Sequence, residues 1–258
     1  MIADERYREI MTMLKRDGVV KTQDLIDHFG VSRETVRRDF EHLESEGLLK
    51  RVYGGATLVK PNRGVEPPYT SREHVNPDAK RAIGRACAEL IRDGDTVLLD
   101  VGATVLEVAR NIAHRQNLTV ITNSLRAANA LVSQPSIHVY LLGGAYRDGE
   151  FSTSGHIAQT ALEDFHVDKA IIGAGGITLE EGVTDFHEPE ARLRRMMAER
   201  ADQVIVVADH SKFGIVALIK CLPPKMIDLC VTDSGLPEEV AQQFEAKGIG
   251  IIREQVNP

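Results

Sequence analysis

Apolar residues near the start of the chain recur at the spacing of amphipathic helices. Tyr7, Ile10, Met11 and Leu14 stand at positions i, i+3, i+4 and i+7, which predicts a helix with one apolar face. A second, shorter helix is predicted over residues 22–29, and the glycine that follows it predicts a tight turn. The chain therefore opens with two predicted helices and a turn.

A third helix is predicted to begin after the turn, and its faces differ. Ser32 can cap this helix by accepting hydrogen bonds from the backbone N–H groups of the first turn. Val36 and Phe40 fall on one apolar face, whereas Arg33 and Arg37 fall on another. Exposed guanidinium groups on such a helix can reach guanine edges or phosphate oxygens in the major groove of DNA. A solvated helix face is the simpler alternative, so the order of the three helices, rather than the arginines alone, favours DNA binding.

Two short apolar runs around a glycine pair follow the third helix. They span residues 48–53 and 56–59, and Gly54-Gly55 between them predicts a hairpin. Such a hairpin would be the wing of a winged helix, with its basic residues near the backbone of bound DNA. We therefore predict a winged helix-turn-helix DNA-binding domain over residues 1–60. The predicted DNA contacts are Thr22, Ser32, Arg33, Thr35, Arg37, Arg38, Arg51, Tyr53 and Gly54.

The pattern changes after the predicted wing. Residues 61–78 contain four prolines and a glycine, which discourage helix and sheet and predict a linker. Strands and helices then alternate, as in a mainly parallel sheet covered by helices on both faces. We predict an α/β fold with a doubly wound, mainly parallel sheet over residues 79–258, and residues 215–219 as either an edge strand or a loop. The predicted strands span residues 97–99, 120–121, 139–142, 170–172, 204–207, 229–231 and 250–252.

Loops that follow the predicted strands carry candidate ligand-binding groups. In an open α/β sheet, ligands bind beyond the carboxyl ends of the strands, where loops lead into helix N-termini. Glycines let backbone N–H groups approach an anion, and a helix N-terminus adds a partial positive charge. The set predicts a small, phosphorylated and polyhydroxylated ligand. The loops comprise residues 100–104, 122–124, 143–144, 173–176 and 209–212.

Simpler interpretations of these loops stay open. Glycines after strands often form turns, Thr104 and Ser124 are suited to cap helices, and Lys212 can be solvated. The polar residues between Asp185 and Glu190 suit hydroxyl binding, or they stabilise the start of a helix through its dipole. The sequence lacks dinucleotide, phosphate-loop, zinc-protease and serine-hydrolase motifs. We therefore expect no catalytic residues, no metal site and no cofactor.

Charge is divided unevenly between the two predicted domains. The 258-residue chain has a formal net charge of −7, yet residues 1–60 hold 11 basic and 11 acidic residues. DNA affinity must therefore come from the placement of basic side chains, and it should weaken with salt. Cys87, Cys221 and Cys230 are odd in number and lie in apolar runs, which suits buried thiols in a reducing cytoplasm. We expect neither a leader segment nor a membrane span, because the apolar runs are short.

Several motifs resemble those of a known family along nearly the whole chain. Residues 31–40 (VSRETVRRDF) and 51–56 (RVYGGA) resemble the recognition helix and wing of the DeoR family of bacterial transcriptional regulators. The resemblance continues with TNS at 122–124, LGG at 142–144 and DHSKFG at 209–214. It implies a winged-helix repressor whose effector domain is similar to ribose-5-phosphate isomerase and related enzymes. The implied ligand is a phosphorylated intermediate of the regulated sugar pathway.

The resemblance also implies roles for individual positions, with two departures. Ala103 stands where the family often has a second hydroxyl residue, which would reshape the phosphate loop. Gly175 stands where related members often carry an aspartate, so acid catalysis from that position is excluded. The predicted effector-binding residues are Asp100, Gly102, Ala103 and Thr104 on the phosphate side, Asn123, Ser124, Gly143, Gly144 and Gly173 on facing loops, and Asp185, Glu188 and Lys212 on the sugar side.

We therefore expect a transcriptional regulator, and more specifically a repressor of a sugar or polyol catabolic operon that responds to a phosphorylated sugar. Its partners would be double-stranded operator DNA and a phosphorylated sugar or polyol. One small module buries too little DNA for tight binding, so subunits are expected to pair as a dimer or tetramer on repeated half-sites. The alternative is a sugar-phosphate isomerase or deaminase with a DNA-binding appendage, in which Asp185, Glu188 and Lys212 would enolise a sugar.

Overall fold

The computed structural model describes residues 3–45, 48–58 and 65–256. The chain divides into two compact units, Met1–Asn62 and Arg63–Pro258. Each unit has a hydrophobic core of its own.

The N-terminal unit combines three helices with a three-stranded antiparallel sheet in the order β1-β3-β2. The predicted helices and hairpin are confirmed, whereas β1 was not predicted. The hairpin prediction extended to Val59, which lies outside the described residues. The elements are α1 (Ala3–Asp17), β1 (Val19–Lys21), α2 (Thr22–Phe29), α3 (Arg33–Ser45), β2 (Leu49–Val52) and β3 (Gly55–Leu58).

Apolar stripes of the three helices meet in the core of this unit, as their spacing predicts. An ion pair fixes α1 against α3 next to that core: Arg6 Nε and Nη2 donate to the two carboxylate oxygens of Asp39 at 2.7 and 2.8 Å. The bidentate pair is mostly buried, so it also fixes the relative orientation of the two helices. The buried core residues include Ile10, Leu14, Leu25, Val36, Phe40, Leu43 and Leu49.

The C-terminal unit alternates strands and helices, which confirms the α/β prediction. Its helices are α4 (Tyr69–His74), α5 (Pro77–Glu89), α6 (Ala103–Ile112), α7 (Leu125–Leu131), α8 (His156–Leu162), α9 (Glu188–Glu199) and α10 (Glu238–Glu245). Its strands are β4 (Thr96–Leu99), β5 (Leu118–Thr122), β6 (Ile137–Leu141), β7 (Ala145–Arg147), β8 (Ser152–Ser154), β9 (Val167–Gly173), β10 (Gly176–Thr178), β11 (Gly182–Asp185), β12 (Ala201–Val207), β13 (Ile219–Leu222), β14 (Leu229–Asp233) and β15 (Gly250–Glu254).

A seven-stranded parallel sheet organises this unit, and all seven predicted strands belong to it. The strand order is β15-β14-β12-β9-β4-β5-β6. Two hydrophobic clusters pack on its opposite faces, so the sheet is doubly wound. The chain runs from β4 outward to β5 and β6, then returns and runs outward through β9 on the other side. The order therefore reverses between β4 and β9, and this topological switch point opens a crevice at the carboxyl ends of both strands.

Two smaller β structures were not predicted. Strands β7 and β8 form a hairpin, and β10, β11 and β13 form a second antiparallel sheet. Residues 215–219 were predicted as either an edge strand or a loop. Residues 215–218 form a loop, and β13 begins at Ile219 and pairs with β11.

The linker prediction over residues 61–78 is wrong in its second half. Residues 69–74 form α4, and α5 begins at Pro77 rather than Ala79. Proline is compatible with the first turn of a helix, where its missing N–H group would have no intrahelical partner. Pro68 and Pro77 therefore lie at the starts of α4 and α5, respectively, rather than marking the absence of regular structure.

Candidate nucleic-acid interface and effector site

The third helix of the N-terminal unit, α3, separates its apolar and basic residues as its sequence predicts. Ser32 Oγ accepts a hydrogen bond from Thr35 N at 3.1 Å, which caps the helix start. The side-chain oxygens of the same two residues lie 2.9 Å apart. Arg33, Arg37 and Arg38 are exposed on the side away from the core. The predicted recognition residues are therefore accessible to a duplex.

Two arginines that are predicted to contact DNA form ion pairs with carboxylates of α3. Arg37 contacts Glu34 Oε1 at 2.8 Å and Glu41 Oε1 at 2.7 Å, and these acids raise its pKa. Arg51 on β2 reaches the same Glu41 oxygen at 3.0 Å and Glu44 at 2.6 Å. The wing and the helix are thus joined through one shared carboxylate. Because the pairs are exposed, DNA phosphates can displace these carboxylates at small cost.

The tip of the wing is positioned by close backbone contacts. Tyr53 is fully exposed at the tip, and Gly54 adopts a positive φ of 80°. The N–H group of Thr22, at the start of α2, donates to the Gly54 carbonyl at 2.8 Å. A Cβ atom at Gly55 would lie 2.1 Å from the Val20 carbonyl oxygen, so only glycine fits where the wing crosses β1. The sequence identified this glycine as a turn residue, whereas its contact with β1 is tertiary.

In the C-terminal unit, two carboxylates that were predicted to bind the effector contact a buried arginine. Arg194 on α9 donates from Nε to Asp100 Oδ2 at 2.5 Å and contacts Asp185 through Nη1. The Asp100 oxygen also accepts from Gly173 N at 3.0 Å. All three side chains are almost completely buried. Asp100, Gly173 and Asp185 thus lie together, and the two carboxylates bind a guanidinium group of the protein itself.

The phosphate-side loop leads from β4 into α6. Gly102 has φ 144° and precedes the helix, and no side chain among the described residues caps the first turn of α6. Ala103 is half-buried and Thr104 is buried in that turn. Backbone N–H groups at an uncapped helix start can bind an anion. A Cβ atom at Gly173 would lie 3.2 Å from the Val101 carbonyl oxygen, so the loops after β4 and β9 approach closely.

The facing loops contact the β7–β8 hairpin. Asn123 Nδ2 donates to the Thr153 carbonyl at 3.1 Å, while the buried Asn123 Oδ1 accepts no hydrogen bond from the residues that the structure describes. Gly144 has φ 131°, and a Cβ atom there would lie 2.4 Å from the Ser154 carbonyl oxygen. Gly143 is exposed. Asn123 therefore offers a free acceptor, and Gly144 allows two chain segments to approach.

Two predicted effector residues have ordinary structural roles. Ser124 Oγ caps α7 by accepting from Ala127 N at 3.2 Å. Glu188 is exposed on α9 and contacts Arg192, so its carboxylate points away from the buried groups. The buried acid of this helix is Glu190, which accepts from Ser152 Oγ at 2.5 Å and Arg147 Nη1 at 2.6 Å. Burial raises the pKa of Glu190 to about 7 despite these two donors.

The loop after β12 carries the remaining predicted residue, Lys212. Burial lowers the pKa of this lysine, and the nearby Arg72 lowers it further, whereas Asp209 and Glu66 raise it. Asp209 organises the loop, because its Oδ1 atom accepts from Ser211 N at 3.1 Å and Ser211 Oγ at 2.5 Å. A partly desolvated lysine beside a polar loop is suited to bind a phosphate oxygen.

Sequence reasoning missed a series of partly buried ion pairs that begins at Glu66, within the predicted linker. Glu66 Oε2 accepts from Arg147 Nη2 at 2.7 Å, and Glu66 Oε1 lies 3.1 Å from Arg72 Nη1. Arg72 also contacts Glu150. The sequence held one usable signal of this kind: Arg194 stands among apolar residues on the buried face of α9, where a charged side chain indicates a buried partner.

Gly175, where the family resemblance implies an aspartate in related members, is too tightly packed to accept a side chain unless its neighbours shift. A Cβ atom there would lie 2.9 Å from the Thr184 carbonyl oxygen and 3.0 Å from Phe186 Cε2.

Across the described ranges, no cluster of His, Cys, Asp and Glu side chains is arranged to hold a metal ion. No helix in those ranges is long and apolar enough to cross a membrane.

Comparisons with known families match both units. A model of the DeoR C terminal sensor domain matches residues 75–234, and a model of the DeoR-like helix-turn-helix domain matches residues 6–62. The chain is 37% identical over 252 residues to the HTH-type transcriptional repressor GlcR of Bacillus subtilis (strain 168), which is 98% of this chain and 96% of that protein. It is 33% identical over 238 residues to the glycerol-3-phosphate regulon repressor of Escherichia coli (strain K12), 92% and 94% of the two proteins.

Solved structures of other proteins can be superposed on part of the chain. The structure of ribose 5-phosphate isomerase A from Methanocaldococcus jannaschii aligns with 54% of this chain and 55% of its own, at 18% identity and a TM-score of 0.41.

Proposed function

The chain belongs to the DeoR family of transcriptional regulators, and we propose that it represses a sugar or polyol catabolic operon in the cytoplasm, with a phosphorylated sugar bound to its C-terminal unit modulating DNA binding. It is a DNA-binding regulator rather than an enzyme, because both units match DeoR domains and its relatives are named as transcriptional repressors. The tight packing at Gly175 agrees with this conclusion, since it leaves no room for an acid at that position.

One observation carries the effector proposal: the uncapped start of α6 lies at the switch point between β4 and β9. Backbone N–H groups of Ala103 and Thr104 would bind a phosphate group there, with Lys212 as the cationic partner. Asn123 Oδ1, which accepts no hydrogen bond within the described part of the chain, would accept one from a sugar hydroxyl. Asp100 and Asp185 would act indirectly, by holding Arg194 and the loops around it.

The DNA-binding proposal assigns the recognition role to α3 and the backbone-contact role to the wing. Arg37→Ala is expected to weaken operator binding strongly in a gel-shift assay, because it removes a bidentate donor from the exposed face of α3. Arg16→Ala, at an exposed position on α1, is the control and should bind normally. Wild-type affinity of the Arg37→Ala variant would contradict the recognition-helix assignment.

The effector proposal is tested by thermal shift with glycerol 3-phosphate and a panel of pentose and hexose phosphates. At least one compound should raise the unfolding temperature, since a ligand that binds only the folded state stabilises it. Thr104→Glu should abolish the shift, because a carboxylate would replace the anion at the start of α6. Thr160→Glu on the exposed face of α8 is the control. An unchanged response of the Thr104→Glu variant would show that the phosphate site lies elsewhere.

Pairing of subunits completes the proposal, because two winged helices are needed to bind two half-sites. The β6 edge of the large sheet supports it. This strand (IHVYL) carries no Lys, Arg, Asp or Glu, and Tyr140 and Leu141 are about half exposed. The opposite edge strand, β15, carries Arg253 and Glu254. Exposed edge strands pair readily unless charges prevent it, and β6 lacks such charges.

A further inference from the structure

We propose that Asn76 is a positioning residue that couples the effector crevice to the segment leading to the DNA-binding unit. The inference rests on the proposed function, since it concerns how occupancy of the effector site changes DNA affinity. We call residues 66–76, which contain α4, the α4 segment. The inference depends on the contacts that this segment makes with the loops of the effector site.

Asn76 adopts an unusual backbone conformation and uses its side chain in an unusual way. It has φ 49° and ψ 50°, in the left-handed region that residues other than glycine rarely adopt. It stands at the N-cap of α5, where an asparagine side chain normally accepts a helix N–H group. Here the side chain makes no such cap, and Nδ2 donates to Asp209 Oδ1 at 2.9 Å. Instead of capping α5, the side chain of Asn76 therefore binds the loop after β12, 133 residues away in sequence.

Asp209 connects this contact to the effector loop. Its Oδ1 atom accepts from Asn76 and also from both donors of Ser211, next to Lys212. The carboxylate is buried, so loss of one donor cannot be compensated easily by water. A phosphate group that draws Lys212 or Ser211 toward itself must therefore change the hydrogen bonding of Asp209, and with it the bond to Asn76.

Lys80, on α5, contacts the other end of the α4 segment's connection to α5, at the residues just before Asn76. Its buried Nζ atom donates to the carbonyl oxygens of Arg72 and Val75, at the end of α4. The pKa of Lys80 is lowered to about 8, mainly by burial; the charge of Asp209 opposes this shift, and the charge of Lys212 contributes to it. The two lysines thus lie within each other's electrostatic influence, and an anion bound at one changes the environment of the other.

The start of the α4 segment is fixed to a second part of the effector site. Glu66 and Arg72 contact Arg147 and Glu150 of the β7–β8 hairpin region. The same hairpin bonds Asn123 through the Thr153 carbonyl and approaches Gly144 at Ser154. Both anchors of the α4 segment therefore lie on structures that carry candidate effector residues.

The chain itself connects the α4 segment to the wing. Glu66 follows Leu58, the last described residue of β3, by only eight positions. A shift of the α4 segment therefore moves the point at which the chain from the DNA-binding unit enters the C-terminal unit. Such a shift modulates DNA affinity only to the extent that the effector binds the two arrangements differently.

The test uses Asn76→Gly, which keeps the left-handed conformation and removes only the side-chain amide. Asn117→Gly is the matched control, because Asn117 also has a positive φ, 56°, and lies in an exposed turn of the same unit. The DNA probe is a duplex selected from random sequence by the full-length chain. The effector probe is whichever of glycerol 3-phosphate, ribose 5-phosphate, fructose 6-phosphate or glucose 6-phosphate most stabilises the wild type.

Fluorescence anisotropy gives duplex affinity with and without the sugar phosphate, and calorimetry gives sugar-phosphate affinity. We expect the sugar phosphate to change the duplex Kd of the wild type and of Asn117→Gly by about tenfold or more. In Asn76→Gly the change should fall below about threefold, while the Kd for duplex alone and the Kd for sugar phosphate each stay within about threefold of wild type.

A full tenfold response of Asn76→Gly would overturn the inference and leave the proposed function intact. Loss of sugar-phosphate affinity in this variant would also overturn it, because Asn76 would then belong to the binding site. Absence of any sugar-phosphate binding by the wild type would overturn the proposed function and the inference together. Glu66→Gln, at the other anchor, provides a second variant: it should reduce the response as Asn76→Gly does, and a full response would count against the α4 segment as the coupling element.

Discussion

At the scale of single residues, the C-terminal unit depends on charges that neutralise one another away from water. Arg194 has two carboxylate partners, Asp100 and Asp185, which come from the ends of different strands. Burial of an ion is favourable only when its partners remain in place, so each member of the trio requires the others. Burial by itself would lower the pKa of Arg194, but the charge and hydrogen bond of Asp100 contribute to a net increase, so the guanidinium group stays charged.

Arg194→Met is expected to lower the free energy of unfolding of this unit by about 3–5 kcal/mol, because two buried carboxylates would lose their counter-charge. Chemical denaturation followed by circular dichroism measures the change. Arg195→Met, on the exposed side of the same helix, controls for the substitution itself and should have little effect. A variant within about 1 kcal/mol of wild type would indicate that Asp100 and Asp185 are stabilised by other groups.

Glu190 gives the unit a predicted pH dependence. The groups that act on its carboxylate are Ser152 and Arg147, which lower its pKa, and Asp100 and Glu66, which raise it, with burial as the largest cause. The folded-state pKa of about 7 lies above the ordinary value of 4.5, so the folded state keeps a proton that the unfolded state has lost. The stability from this proton is complete below pH 4.5 and disappears as the pH rises through 7, a change of up to about 3 kcal/mol.

Glu190→Gln should remove this loss, since the amide does not titrate. The free energy of unfolding of the wild type is therefore expected to fall relative to that of the variant between pH 5 and pH 8. Glu188→Gln, an exposed position on the same helix, should keep the pH profile of the wild type. Parallel profiles for the wild type and Glu190→Gln would show that Glu190 is ionised throughout this range.

At the scale of elements, the two edges of the large sheet differ in chemistry. Strand β15 carries an arginine and a glutamate, whereas β6 exposes Tyr140 and Leu141. Tyr146, Phe151 and Ile157 of the following segment are also exposed. Aromatic and aliphatic residues without charges are typical of the centre of a subunit interface. A chain with net charge −7 can approach a copy of itself most easily through such a neutral surface.

Leu141→Arg is therefore expected to reduce the oligomer by one step, from dimer to monomer or from tetramer to dimer. Sedimentation velocity gives the mass directly. Leu218→Arg makes the same change at an exposed leucine in the loop before β13, and it should leave the assembly as in the wild type. The β6 assignment would be wrong if the Leu141→Arg variant sedimented with the wild type, or if the wild type were already a monomer.

At the scale of the whole molecule, two separate cores predict two separate unfolding events. One core lies in Met1–Asn62, and the larger one covers both faces of the parallel sheet in Arg63–Pro258. Calorimetry should resolve two transitions, and a stabilising sugar phosphate should shift only that of the C-terminal unit. At a concentration of 100 Kd the expected stabilisation is about 2.7 kcal/mol. A single transition that sugar phosphate shifts as a whole would mean that the units unfold together.

Local patterns in the sequence determined most of the architecture. The period of apolar residues, together with capping residues and glycine turns, predicted α2 from residue 22 to residue 29 and all seven strands of the parallel sheet. These signals act over a few residues, and a helix or a buried strand needs no distant information to be recognised. The exposed arginines of α3 could be predicted for the same reason, because a helix face is a local property.

The contacts between distant parts of the chain were decided only by tertiary structure. Arg194 reaches Asp100 across 94 positions, and Asn76 reaches Asp209 across 133. The antiparallel sheet of β10, β11 and β13 and the contact of β1 with the wing are of the same kind, since pairing depends on which segment the fold brings alongside. A carboxylate in a loop has the same local sequence whether it binds a ligand or a buried arginine. The sequence therefore singled out Asp100 and Asp185 as polar residues, whereas their partner Arg194 became visible only in the folded chain.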